Sequence, residues 1–113
     1  ACIESILASD HAHSEIIVID NGTTDQPSLD YLNQIESDGI AKVIRHDAPF
    51  NFSEINNIGA QAATGEILCF LNNDTEVLTT DWLQRARALL AVPGVGMVGA
   101  RLLYPDGTLQ HFG

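Results

Sequence analysis

The sequence predicts an α/β domain with a mostly parallel sheet. A continuous apolar run rich in β-branched residues lies in "EIIVID" at residues 15–20, and "AKVIRH" at residues 41–46 and "EILCFL" at residues 66–71 are predicted as two further strands. Such runs are typical of strands that are covered on both faces. Segments with apolar residues at helical spacing alternate with them, which favours βαβ units. The composition, 45% hydrophobic and 18% charged, is that of a globular protein with a packed core.

The length of 113 residues allows one domain at most and is short for an enzyme that holds two substrates. We therefore predict that residues 1–113 form a single partial domain, an internal fragment of a longer protein. The sequence shows no internal repeat, linker or low-complexity segment.

The first elements follow directly from apolar spacing. Residues 1–9 place their isoleucines and leucine on one helical face, without a preceding cap. The run "EIIVID" predicts a buried strand that ends at Asp20, and "NGTTD" follows it as a turn. Ser28 is expected to cap a helix over residues 29–38, with Gly39 ending it.

The middle of the chain predicts a strand, a helix and another strand. "AKVIRH" forms the second strand, and Ser53 is expected to cap a helix that Gly65 ends. "EILCFL" is predicted as the third strand. We expect residues 16–20 and 67–71 to be parallel neighbours in the centre of the sheet.

The last part predicts a helix followed by a hairpin. Thr80 or Asp81 begins the helix "WLQRARALLA", and Pro93 ends it. "VGMVGARLLY" and "GTLQHFG" flank the turn "YPDG", which is typical of two short antiparallel strands.

The charge excludes some partners. Five Lys and Arg stand against 15 Asp and Glu, a formal net charge of -10. Nucleic acid and anionic membranes are therefore not expected partners. A phosphorylated ligand remains compatible if a divalent cation lies between carboxylates and phosphates. Because the sequence contains no signal peptide and no apolar run that could span a bilayer, we expect a cytoplasmic location.

Acidic side chains follow two of the predicted strands. Asp20 ends the first strand, and Asp74 follows "CFLNN", with Glu76 two residues later. Ligands of open α/β sheets bind outside the carboxyl ends of the strands, so these acids are candidates for a site. The alternative is local, since Asp and Asn also favour turns and caps; Asp25 before "QPS" is equally well explained as a helix cap.

Three ordered stretches resemble a known family. "IIVIDNGTTD", "FNFSEINNIGAQAATGEILCFLNNDTEV" and "YPDGTLQHFG" are similar to family 2 glycosyltransferases of the GT-A fold, especially bacterial enzymes that build rhamnan, O-antigen and related surface polysaccharides. The resemblance implies a partial GT-A three-layer sandwich, Rossmann-like, whose first strand is missing because it precedes residue 1.

The resemblance assigns nucleotide contacts residue by residue. It implies that Asp20 contacts the nucleobase. It also implies that Asn57 and Gly59, with Asn56 beside them, lie against the nucleotide. The small residues of this helix allow close approach to the sheet, and amides offer donors and acceptors without adding charge near a diphosphate.

The family's D-x-D signature corresponds to "NND", so Asn72 replaces the first acid. The resemblance then implies Asp74 as the ligand of a Mg²⁺ or Mn²⁺ ion and Asn73 as a nucleotide contact. Such an ion would neutralise the diphosphate as it leaves. Gln110 and His111 are possible sugar contacts, although strand packing explains them equally well.

The implied activity is sugar transfer, with inversion, from a UDP- or TDP-sugar to a glycan or lipid-linked acceptor of a cell-surface polysaccharide. The general base is expected beyond residue 113, so the fragment alone is expected to be inactive. The full-length protein is expected to work at the inner face of the membrane. An exposed sheet edge, where the first strand belongs, would favour self-association.

Two alternatives to this function remain open from the sequence. One is a receiver-like phosphoacceptor domain with a strand-end Asp, although it lacks the expected lysine and leaves the Asn-rich helix unexplained. The other is a non-catalytic nucleotide-binding or scaffold domain on the same fold.

Overall fold

Helices and strands alternate over much of the computed structural model, which describes residues 1–113. The chain forms two compact units, His13–Leu71 and a second made of Ala1–Ala12 with Asn72–Gly113. None of the helices combines the length and apolar character that crossing a bilayer requires. The elements, in chain order, are α1 (Cys2–Leu7), β1 (Ile17–Asp20), α2 (Gln26–Ser37), β2 (Lys42–Arg45), α3 (Phe52–Ala62), α4 (Trp82–Leu90), β3 (Leu102–Leu103) and β4 (Leu109–His111).

The unit His13–Leu71 is built on a parallel pair of strands. β1 and β2 pair from Ile17 opposite Lys42 to Asp20 opposite Arg45. A bond from the Lys42 N–H to the Ile16 carbonyl (2.9 Å) extends the ladder at one end. The predicted α/β class and the first two strands are confirmed, and both strands end at the same edge.

Helices α2 and α3 pack on this pair, α2 against β2 and α3 against β1. The core of the unit lies under α2, where Ile35 and Ala41 are buried. Gly39 follows α2 with φ of 72°, the left-handed conformation that ends many helices, as predicted.

Both predicted N-caps in this unit are wrong by two or three residues. Asp25 caps α2 by accepting a hydrogen bond from the Ser28 N–H (3.1 Å), and Asn51 caps α3 by accepting one from the Glu54 N–H (3.1 Å). Pro27 needs no N–H partner in the first turn, so α2 starts before Ser28. The local explanation of Asp25 as a cap is therefore correct.

Helix α3 lies close to β1 because a glycine faces the strand. A Cβ added at Gly59 would meet the Ile19 side chain at 3.7 Å, an ordinary contact distance. The helix ends at Ala62, and the backbone of Ala63 is already extended. The prediction that Gly65 ends this helix is therefore wrong.

Hydrogen bonds join the residues that follow α3 to Glu15, which lies just before β1. The Glu15 carboxylate accepts hydrogen bonds from the Thr64 N–H, the Thr64 hydroxyl (2.9 Å) and the Gly65 N–H (3.2 Å). These three donors hold the pKa of Glu15 below its usual range. We call this arrangement the Glu15 clasp.

The predicted third strand is not formed. Residues 67–71 belong to no sheet, and β1 pairs with β2 alone in its sheet. The side chains of Ile67, Leu68, Phe70 and Leu71 are exposed. A strand requires a neighbour that takes up its N–H and C=O groups, and no described segment offers one to residues 67–71. The predicted central pairing of residues 16–20 with 67–71 is therefore wrong for this structure.

In the second unit, polar contacts join the first twelve residues to the segment around α4. The Trp82 indole N–H donates to the Ser9 hydroxyl (2.9 Å), and the Asp10 N–H donates to the Thr80 carbonyl (2.9 Å). Ser9 is buried and donates onward to the Ile6 carbonyl (2.6 Å).

The hairpin is formed as predicted. β3 and β4 are antiparallel, and the Gly107 N–H donates to the Tyr104 carbonyl (2.8 Å) across the "YPDG" turn. Gly107 has φ of 86°, which explains why glycine occupies this turn position.

We predict that Gly59→Leu destabilises the protein by about 1–3 kcal/mol, because a large side chain would displace α3 from Ile19. Gly59→Ala adds a single methyl group at ordinary contact distance and removes a flexible residue from a helix. It should be neutral or stabilise by up to about 1 kcal/mol. Urea denaturation of both variants tests this, and equal destabilisation by Ala and Leu would contradict the close packing.

Candidate functional site

An ion pair joins the carboxyl ends of the two parallel strands. Arg45 Nη1 lies 2.8 Å from Asp20 Oδ2, and the two residues are direct neighbours in the strand register. The Asp20 side chain is 1% exposed, whereas that of Arg45 is 47% exposed. Arg45 Nη2 also donates to Asn33 Oδ1 of α2 (3.2 Å). The pair therefore has a buried anion and a half-exposed cation.

The Asp20 carboxylate is fully engaged by its surroundings. Its Oδ1 accepts from the Thr23 N–H (3.0 Å) while its Oδ2 accepts from Arg45. Hydrogen bonding by Thr23 holds the pKa of Asp20 below its usual range, although burial acts in the opposite direction; the Arg45 charge adds to the lowering. Asp20 is thus held ionised, with both oxygens bonded inside the protein.

The loops that follow the two strands are tied to each other. The Asn21 amide donates to the carbonyls of His46 (2.9 Å) and Ala48 (3.0 Å). The His46 N–H donates in turn to the Asp20 carbonyl (2.9 Å). These bonds fix the backbone around the carboxyl edge of the strand pair.

A shallow depression of about 320 Å³ lies beside α3. It contains two of the predicted nucleotide contacts, Asn56 and Asn57, but not Asp20. The Asn56 amide donates to the Phe52 carbonyl (3.0 Å), while the exposed side chain of Asn57 makes no hydrogen bond within the protein. The residues that line the depression are Phe52, Ser53, Asn56, Asn57 and Phe70. No lining residue is charged, so the depression suits a neutral part of a ligand.

The predicted metal ligand lies in the other unit, in a turn and not at the end of a strand. Asn73 and Asp74 form this turn and are exposed, and the Thr75 hydroxyl donates to the Asn72 carbonyl (2.7 Å) across it. No group of three or more His, Cys, Asp or Glu side chains occurs that could hold a metal ion. A carboxylate flanked by amides does fit a Mg²⁺ or Mn²⁺ ion that takes its remaining ligands from phosphates and water.

The possible sugar contacts are both in the hairpin. Gln110 and His111 belong to β4, and both are exposed. The register shifts between the pairs Leu102–His111 and Leu103–Leu109, which leaves Gln110 without a directly opposite residue. Such irregularities redirect a side chain, but no neighbouring group assigns a role to it.

Sequence reasoning missed Arg45 and Phe52. Arg45 could have been found, because it ends the second strand as Asp20 ends the first, and parallel strands end at one edge. Phe52 is 59% exposed beside the amides of α3; its exposure could not be read from the sequence.

Open α/β units bind their ligands outside the carboxyl ends of the parallel strands, and this unit has polar groups at that edge and on the neighbouring helix. Residues 1–112 match the family described as "Glycosyl transferase family 2". The chain belongs to this family. The predicted family and GT-A fold class are thereby confirmed, and the receiver-like alternative is not supported.

Curated relatives agree with this membership. The chain is 45% identical to an uncharacterized protein, y4gI, of Sinorhizobium fredii over 115 residues, 100% of the chain and 13% of the relative. It is 39% identical to the O-antigen biosynthesis protein RfbC of Myxococcus xanthus, over 98% of the chain and 9% of that protein. It is 31% identical to a PGL/p-HBAD biosynthesis glycosyltransferase of Mycobacterium bovis, over 80% of the chain and 35% of the relative.

The chain thus spans only a small part of the curated relatives it matches. No solved structure matches it significantly.

We predict that Asp20→Asn lowers the free energy of unfolding at neutral pH by about 1–3 kcal/mol, because Arg45 loses its buried charged partner. Since the pKa of Asp20 is lowered on folding, its stabilising effect is present above the usual range of an aspartate. It is lost as the pH falls through the lowered pKa, so the difference between the variant and the natural protein should shrink in acid.

Urea denaturation at several pH values measures this difference. Asp81→Asn is the matched control, because Asp81 makes a similar pair with Arg85 (2.8 Å) on the surface of α4. The control should change stability little, since exposed pairs contribute little. A difference for Asp20→Asn that is independent of pH would contradict the assignment.

Proposed function

We propose that this chain is the nucleotide-sugar-binding part of a glycosyltransferase that transfers a sugar, with inversion, to a growing cell-surface polysaccharide. The observation that carries the proposal is the family match over residues 1–112. The similarity to an O-antigen biosynthesis protein supports the class of product. The donor would be a UDP- or TDP-sugar and the acceptor a glycan or lipid-linked glycan.

The proposed nucleotide contacts are Asn56, Asn57, Gly59 and Asn73, with Asp20 at the strand edge. The free amide of Asn57 supports this, because it lies in the depression beside α3 without a partner in the protein. Amides recognise bases and sugar hydroxyls because they donate and accept. Gln110 and His111 are proposed as contacts to the transferred sugar, and the general base would lie outside residues 1–113.

Asp74 is the residue that would hold a Mg²⁺ or Mn²⁺ ion together with the donor diphosphate. When bound, such an ion supplies positive charge that stabilises the leaving diphosphate. At a net charge of -10, such an ion would offset the repulsion between the protein and an anionic donor. We also propose a cytoplasmic location, at the inner face of the membrane in the full-length protein.

Asp74→Ala in the full-length protein should weaken Mn²⁺-dependent binding of a nucleoside diphosphate by about a hundredfold, because Asn72 and Asn73 cannot replace the lost charge. Glu76→Ala, two residues away and also exposed, is the matched control and should have much less effect. Isothermal titration with UDP and TDP, with and without Mn²⁺, measures this. Equal losses in both variants, or none in either, would refute Asp74 as the ligand.

We further propose that the isolated chain associates with itself through the free edge of β1 and the exposed apolar side chains of residues 67–71. Light scattering should show a mass that rises with concentration, and Leu68→Ser with Phe70→Ser should reduce it. Phe112→Ser is the control, because Phe112 is 79% exposed elsewhere in the chain. A monomer at every concentration would contradict the proposal.

A further inference from the structure

We propose that His46 and Glu54 form a pH-sensitive latch, which holds the first turn of α3 to the end of β2 while the His46 ring is protonated. His46 directly follows β2, and Glu54 lies in the first turn of α3. The ring atom Nε2 of His46 lies 3.3 Å from Glu54 Oε1. This latch is independent of the proposed function, because it would act on α3 whether or not a donor binds.

The ring nitrogen that faces Glu54 is buried and makes no hydrogen bond. Its contact with the carboxylate is short, but it is not aligned as a hydrogen bond. A neutral ring would pay for this in either tautomer, since a buried N–H would lack an acceptor and a buried lone pair would face a carboxylate. Only a protonated ring makes the contact an attraction between opposite charges.

The other charged groups of the neighbouring elements do not pair with this imidazole. On the two strands, the Asp20 carboxylate and the Arg45 guanidinium bond to each other. On α2, the Glu36 carboxylate accepts from a backbone N–H of β2. Asp47, next in the chain, is exposed and forms no ion pair. Glu54 is the only charged residue of α3, and it is the one acid that pairs with the ring.

Both ends of the latch are attached to regular structure. The backbone of His46 is held on two sides, because its N–H donates to the Asp20 carbonyl (2.9 Å) and its carbonyl accepts from the Asn21 amide (2.9 Å). At the other end, the Glu54 N–H donates to the side chain of Asn51, the cap of α3 (3.1 Å). A closed latch therefore fixes the start of α3 against the end of the strand pair.

The direction of the pH dependence follows from the chemistry of imidazole. Histidine is the side chain that ordinarily changes its charge between about pH 5 and 8, whereas glutamate generally stays ionised there. The latch is closed at the acidic end of this range, and it opens as the pH rises and the ring loses its proton. Phe52 and Ser53 of the first turn line the depression beside α3, so this wall is held more firmly in mildly acidic solution.

Hydrogen–deuterium exchange of the full-length protein, measured by mass spectrometry on peptides that cover residues 50–58, tests the latch. The N–H groups of Glu54 and Ile55 are bonded to Asn51, so their exchange reports opening of the turn. Each variant is compared with the unaltered protein at the same pH, because intrinsic exchange also depends on pH. Glu54→Gln should speed exchange about threefold more at about pH 6 than at about pH 8, the size expected of a partly exposed ion pair.

A second variant and two controls complete the test. His46→Gln should show the same pH dependence, and combining it with Glu54→Gln should add nothing to that dependence, because both variants remove one contact. Asp47→Asn is the matched control, since it removes an acid beside His46 that forms no ion pair. His13→Gln removes an exposed histidine of the same unit. Both controls should leave the exchange of these peptides unchanged at either pH.

Two results would overturn the latch. If Glu54→Gln speeds exchange equally at both pH values, or not at all, the pair does not respond to protonation of the ring. If Asp47→Asn gives a pH-dependent change as large as that of Glu54→Gln, the effect belongs to the overall charge of the loop. Because the Glu54 side chain is 51% exposed, Glu54→Gln decides between these results even if His46→Gln folds poorly.

Discussion

The ion pair between Asp20 and Arg45 is the interaction on which the carboxyl edge of the strand pair depends. It joins neighbouring strands in register, and through Asn33 it reaches helix α2. The loop after β1 is also held by the Asp20 carboxylate, through the Thr23 N–H. Removing the carboxylate would therefore loosen a strand, a helix and a loop together, which is why a buried charge can be kept at a site where it costs desolvation.

Such polar contacts matter because the apolar core is small. Ile35 and Ala41 are the buried hydrophobic residues of the chain, while many large apolar side chains are exposed. Apolar burial is ordinarily the main stabilising term in folding. Here hydrogen bonds at strand ends and helix caps hold elements whose apolar faces are only partly covered.

The elements that depend on local chemistry could be predicted from the sequence. The spacing of apolar residues gave both parallel strands and all four helices, and "YPDG" gave the hairpin. Caps were less certain, because Asp25 and Ser28 both have side chains that can accept a backbone N–H, and only the fold decides which does. The run at residues 67–71 shows the limit, since strand propensity cannot supply a hydrogen-bonded neighbour.

The candidate site, like the fold, could be predicted from the sequence only in part. The resemblance implies Asn57 as a nucleotide contact and Asp74 as a metal ligand, and the structure leaves both side chains exposed. It could not reveal that Asp20 is enclosed, because burial depends on the partner strand and on the turn that follows. Arg45 was visible as the last residue of a predicted strand, but its importance depends on its register with Asp20, which a single sequence does not state.

The Glu15 clasp has a consequence for the direction of the chain. Glu15 accepts hydrogen bonds from Thr64 and Gly65, which lie 49 and 50 positions further along the chain. These bonds bring the end of α3 back to the side of the sheet where β1 begins. The apolar segment that follows Gly65 therefore sets out from the same side as β1. Starting there, the segment is placed to extend in the same direction as β1, so a carboxylate outside the strands favours a parallel orientation.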